Sequence, residues 1–228
     1  MLLRLLPLIA GVVPLIAVFG ALWIGVSTEV LPPCFPVVDG CFSICAAGRK
    51  PPGSFLFKAV MMPQSMLLLI LWFFVVLWLR SLDPALRRST RIAILASGFI
   101  GSLALILYVT FLGTREPFYE VMRRTGIYFA FVGNGVAQII VAVVFRRVAG
   151  ALQAPATILA ARILYGHWIV ALSLGLLNVV LKRVIEDSDA TENRIEWIVF
   201  VVMQSYFVAL YYAWRITGFN AAVATRPS

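Results

Sequence analysis

Long apolar runs, broken at short intervals by polar clusters, dominate the chain from end to end. The first covers residues 7–27 behind a lone Arg4, and five more follow at roughly 57–79, 92–113, 126–145, 160–181 and 195–216. Each approaches the ~20 residues that a helix needs to cross hydrocarbon. The first run is longer than the ~7–15-residue apolar core of a secretory signal, and no small-x-small cleavage site follows it, so it is expected to remain as a span. Lys58 and Pro63 interrupt the second run, and Arg162 and His167 the fifth. Helix stops such as Asp83-Pro84 and Ala154-Pro155 fall in the short links. The pattern predicts an all-α, polytopic membrane protein: one domain over residues 1–228, six transmembrane helices, and a loop at 28–56 that caps one end. It contains no internal repeat, no low-complexity tract and no room for a separate soluble domain.

Composition narrows this further. The 228 residues are 62% hydrophobic and only 13% charged, with a mean hydropathy of +0.97. A soluble fold of this size has too little interior to hide so many apolar segments, so the bilayer is the solvent. The net charge of +9 is scattered over short links without a folded basic surface, which argues against a nucleic-acid partner and fits contact with anionic headgroups. Six spans put both termini on one side. Basic residues divide almost evenly between the two faces. The acids do not: with the termini inside, Asp83 is the sole inner acid, while Glu29, Asp39, Glu116, Glu120, Glu186, Asp187, Asp189, Glu192 and Glu196 lie outside. Both termini are therefore expected inside, in a plasma or inner membrane, although acids weigh little in topology.

That orientation places all three cysteines, Cys34, Cys41 and Cys45, on the oxidising side, where a disulfide persists. Two of them are expected to be bonded, and the sequence does not say which two. A Cys34–Cys41 bridge would close a loop around the Asp39-Gly40 turn; the competing reading buries the thiols in helix packing. His167 sits in another span, so no metal-ligand set assembles and no metal is expected.

The stretch PVVDGCFSICAAGRKPPGSFLFK, placed before a long apolar helix, resembles the first extracellular loop of the DRAM family and its FRAG and SFK relatives. That family is related to the N-terminal domain of the yeast cell-wall-biogenesis protein. The resemblance rests on Pro36, Asp39, Gly40, Ser43, Ala46, Ala47, Gly48, Pro51, Pro52 and Phe55, and on Glu196-Trp197 opening the last span. Cys45 departs from the pattern, standing where many relatives have serine. By motif the resemblance covers only about 30 residues of the chain. It implies a six-span fold with internal termini and a role in lipid organisation, lipid remodelling of anchored proteins, or autophagy. Beside the motif, Arg49 and Lys50 can reach lipid phosphate.

Polar groups inside spans are costly enough to stand as site candidates. Gln64, Asn134, Gln138, His167, Asn178 and Gln204 are those residues. Asn134 and Gln138, spaced i, i+4, share a helix face. His167 and Asn178 fall on one stripe, as do Gln204 and Tyr211. Asn134, Gln138, His167 and Gln204 are expected to converge inside the bundle. They serve there either as interhelical glue, at about 0.6–2 kcal/mol each, or as the polar lining of a cavity. The Ala93-Ser97-Gly101 series is read as close packing. Glu116 and Glu120, with Arg115, Arg123 and Arg124, read as interfacial ion pairs.

No phosphate loop, nucleophile elbow, metal-spaced histidines or paired carboxylates are present, so no catalytic residues and no cofactor are expected. The favoured expectation is a noncatalytic protein that binds or organises membrane lipid. Two alternatives stand beside it: an accessory subunit among other membrane-protein subunits, and a lipid-remodelling enzyme using His167 or the loop.

Overall fold

The computed structural model describes residues 2–114, 116–185 and 188–220. Arg115, Glu186, Asp187 and Arg226, which entered the charge comparison or the expected ion pairs, lie outside them. No strand occurs among the described residues. A short 3-10 turn, Leu2–Leu5, leads into α1 (Leu6–Ser27). Two one-turn helices in the cap, α2 (Pro36–Asp39) and α3 (Ile44–Ala47), precede α4 (Gly53–Leu82). Then come α5 (Arg88–Phe111), α6 (Pro117–Leu152), α7 (Pro155–Val184) and α8 (Asp189–Ile216). Six of these helices are long and apolar enough to cross a bilayer.

Most helices overrun the apolar segments that predicted them. The 126–145 run sits inside α6, whose 36 residues measure about 54 Å at 1.5 Å per residue. Hydrocarbon is only ~30 Å thick, so the end turns protrude into the headgroup region, where polar residues can continue a helix. Pro117 and Pro155 open α6 and α7 in the first turn, where a missing N–H leaves no bond unmade. Between them Gln153, at φ 51°, turns the chain back on itself. Pro63 lies within α4 without ending it.

The six long helices pack in chain order, each against the next, and α8 closes the ring on α1. α5 and α6 make the tightest pair. A Cβ on Gly133 would stand 2.7 Å from the Ser97 carbonyl oxygen, and one on Gly101 would stand 2.5 Å from the Asn134 amide nitrogen. The small-residue face of α5 is therefore where two backbones meet, as its spacing predicts. At the end of the bundle that holds both described ends of the chain, Trp78 Nε1 donates to Thr217 Oγ1 (2.9 Å) and Arg4 Nε donates to the Phe219 carbonyl (3.1 Å). α7 is the outlier. Only Thr157, Ala160, Ala161 and Leu164, all near its start, are buried, and the rest of the helix lies on the periphery.

Candidate functional site

The cap is fastened to the first turns of α8. Cys34 and Cys41 form a disulfide, and Cys45 is unpaired. Inside the closed loop, Asp39 accepts from the Phe35 amide (2.8 Å), and Gly40 takes the left-handed conformation, φ 69°. α8 then reaches across: Arg194 Nε donates to the Val38 carbonyl (2.6 Å) and Asn193 Nδ2 to that of Gly40 (2.8 Å). Trp197 Nε1, fully buried, donates to the Phe42 carbonyl (3.0 Å). Ser43 caps α3 by accepting the Ala46 amide (3.2 Å). Asp39-Gly40 and Glu196-Trp197, distant in sequence, thus belong to one junction. Its remaining acid, Glu196, lies against the Ile44 backbone amide.

Beneath this junction the ring encloses a cavity. α1 contributes Pro14 and Val18, α4 Phe57 and Gln64, α5 Leu105 and Tyr108, α6 Ile127 to Gln138, and α8 Glu196 to Phe207; α7 contributes nothing. The unfilled space amounts to about 690 Å³ when its open mouth is counted. It is narrow, with about 70 Å³ roomy enough for water. Most of the wall is apolar, and the polar groups on it are few. Gln64 is 3% exposed; its Nε2 donates to the Ala10 carbonyl (2.8 Å), while its Oε1 has no partner among the described residues. The Oε1 of Gln204 is likewise buried and unpaired. Gln138 Nε2 donates to the Met203 carbonyl (3.3 Å), and Tyr206 returns a bond from its hydroxyl to the Gln138 carbonyl (3.0 Å), tying α6 to α8.

Three of the four amide and imidazole groups expected to converge do so: Asn134, Gln138 and Gln204 line this cavity. Asn134 is held at both ends of its amide, its Oδ1 accepting from Trp72 Nε1 (2.9 Å) and its Nδ2 donating to the Ala130 carbonyl (2.9 Å). His167 is the correction. It sits on peripheral α7, its Nδ1 2.8 Å from the Ile163 carbonyl of its own helix and its ring edge-on to Tyr206, and it does not line the cavity. A backbone carbonyl four residues back satisfies an imidazole without a bundle partner, a local route that the stripe argument overlooked. His167 and the cap loop, which the enzymatic alternative draws on, are therefore not brought together.

Arg49 and Lys50 also stand apart. They edge an exposed groove on the cap face with Pro51, Gly113, Thr114, Glu120 and Arg123. There Glu120 pairs with Arg124 and lies 3.6 Å from Arg123, so the expected interfacial pairing holds for Glu120. Cys45, between groove and cavity, is 3.1 Å from the Tyr108 hydroxyl. Burial pushes its thiol pKa up, the Glu196 carboxyl adds to this, and Tyr108, Arg123 and Arg49 oppose it. The thiol is consequently a poor nucleophile at neutral pH.

Sequence reasoning ranked Gln64 below the other amides and passed over Tyr108 and Tyr206. Gln64 had a signal, an amide in mid-span beside Pro63. The tyrosines had none, because a hydroxyl on an aromatic ring reads as ordinary packing until its partner is known. No family model, no curated protein and no solved structure matches the chain.

Proposed function

We propose that this chain is a noncatalytic, multi-pass membrane protein that binds membrane lipid in the cavity of its helix bundle. The observation that carries the reading is the unpaired Oε1 of Gln64. It is a buried acceptor without a partner among the described residues, on a side chain that lines the mostly apolar cavity, and leaving it without a hydrogen bond costs about 1–3 kcal/mol. An occupant with a polar head and an apolar body satisfies both parts of the wall. The DRAM-like cap residues support the same reading through what that resemblance implies. The Cys34–Cys41 disulfide supports a cap facing an oxidising compartment, with the opposite face and both termini in the cytoplasm. A plasma or inner membrane supplies that arrangement.

The test is lipid retention. Protein purified in mild detergent is extracted, and the lipid recovered per chain is compared with that from Ala130→Leu, which fills the cavity without removing a polar group. A specific lipid retained by the parent and lost from the variant is expected. No retained lipid, or equal retention by both, would refute the proposal.

A further inference from the structure

We propose that the cavity selects single-chain amphiphiles whose head donates hydrogen bonds and carries no phosphate, an amine or an alcohol, and excludes anionic heads. This rests on the lipid-binding reading and adds the chemistry of the head. The argument starts from which polar groups are already used. On the donor side, Gln138 Nε2 goes to Met203, the Tyr206 hydroxyl to Gln138, and Asn134 Nδ2 to Ala130. Trp72 Nε1, beside the wall, is taken by Asn134 Oδ1. The Tyr108 hydroxyl is paired with Cys45 Sγ.

Among the buried polar atoms of the wall, those with no partner at all are oxygens. The Gln64 amide is fixed in orientation, since only its nitrogen can donate to the Ala10 carbonyl, and its oxygen is left without a partner among the described residues. Gln204 Oε1 is a second unpaired acceptor, on an amide that no side-chain hydrogen bond holds among the described residues, so that it is free to turn its oxygen toward a donor. Glu196 also lines the wall; it accepts from the Ile44 backbone amide and makes no ion pair among the described residues. No lysine, arginine or histidine lines the space. Arg49, Lys50 and Arg123 belong to the separate groove on the cap face.

A phosphate head would bring more acceptors and negative charge to a wall that has no cation and whose unpartnered buried atoms are oxygens. Two buried groups of like character would then stand unpaired, the costly arrangement. An ammonium or hydroxyl reverses this, giving each orphaned oxygen a proton. The narrowness of the space sets the body of the ligand. With about 70 Å³ wide enough even for water, it admits one chain rather than a pair.

The experiment uses the full chain in detergent and three probes of equal chain length: dodecylamine, dodecanol and dodecyl phosphate. Binding is read as the concentration that half-saturates the rise in melting temperature. The amine or the alcohol should bind at least about tenfold more tightly than the phosphate, one hydrogen bond's worth of difference. Gln64→Leu and Gln204→Leu should each weaken the donor probes by a similar factor. Gln204 makes no side-chain bond to the fold, so its variant reports even if Gln64→Leu fails to assemble. Glu196→Gln separates the two heads: loss confined to the amine assigns a charged partner, and equal loss of both assigns a neutral donor. Phosphate binding as tight as the donors, or donors indifferent to Gln204→Leu, would overturn the selectivity and leave lipid binding standing. Saturation by none of the three overturns both.

Discussion

Trp72 Nε1 lies 2.9 Å from Asn134 Oδ1, joining α4 to α6 at the point where Gly101 of α5 lets the backbones close. Both side chains are buried. Asn134 is thus held by the fold at both ends of its amide, whereas Gln64 and Gln204 each keep an oxygen without a partner. Burial and depth are similar for Asn134 and Gln64; the difference is in the pairing.

Asn134→Leu should therefore cost stability rather than binding. It strands a buried indole N–H, at about 1–3 kcal/mol. Trp72→Phe in the same chain removes the stranded donor and should recover part of the loss. Thermal melts of the four proteins in a double-mutant cycle check this, and strictly additive losses would contradict the pairing.

Gly40→Ala should loosen the cap. A Cβ there would stand 2.0 Å from the Ala190 carbonyl oxygen, on top of the strain of φ 69°. Gly218 shares that backbone, at φ 67°, but has open space around it. Gly218→Ala isolates the conformational cost, about 1–2 kcal/mol. The expected result is a clearly larger loss at Gly40, with faster proteolysis in 28–52. Equal losses would mean the cap does not rest on α8.

The thiols should divide two and one. Peptide mapping without reductant is expected to recover Cys34 linked to Cys41 and Cys45 alkylable. Because burial first, and the Glu196 carboxyl second, raise the Cys45 pKa, its alkylation should reach half-maximal rate at higher pH than a free peptide thiol. The sign for stability follows. The neutral thiol is favoured in the fold, so its contribution is complete below the unfolded-state pKa and is lost as pH rises through the folded one. Cys45→Ser should flatten that alkaline limb of the melting curve.

Sidedness should follow the cap. Reporter fusions at Arg88 are expected to score cytoplasmic and fusions at Asp189 external. The reverse result would invert the compartment argued for the disulfide while leaving the ring intact.

The helices were legible because a bilayer turns run length into a structural signal that needs no partner. The breaks at Asp83-Pro84 and Ala154-Pro155 and the Gly101 face could be placed for the same reason, as local geometry. The lid was only half legible. Asp39-Gly40 and Glu196-Trp197 each stood out, but nothing local says that Trp197 donates to Phe42 or that Gly40 fits under Ala190. His167 shows the limit from the other side: the argument that a mid-span imidazole must turn inward ignores the carbonyl of Ile163 within its own helix. Which amides remain free is likewise a property of the assembled network, and no spacing rule reports it.

The bond from Arg4 to Phe219 bears on how the chain could be rewired. It brings the two described ends together on one face, and an even number of crossings keeps them there. A short linker could therefore join them, and the chain could be reopened between Pro84 and Ala85 on that same face. Every helix of such a circular permutant would still cross in its original direction. Its α1 would be threaded second-to-last of the six spans rather than first, and α8, now coming just before it, would meet it as a sequence neighbour. Function in that permutant would show that the closed ring, and not the order of synthesis, specifies this architecture.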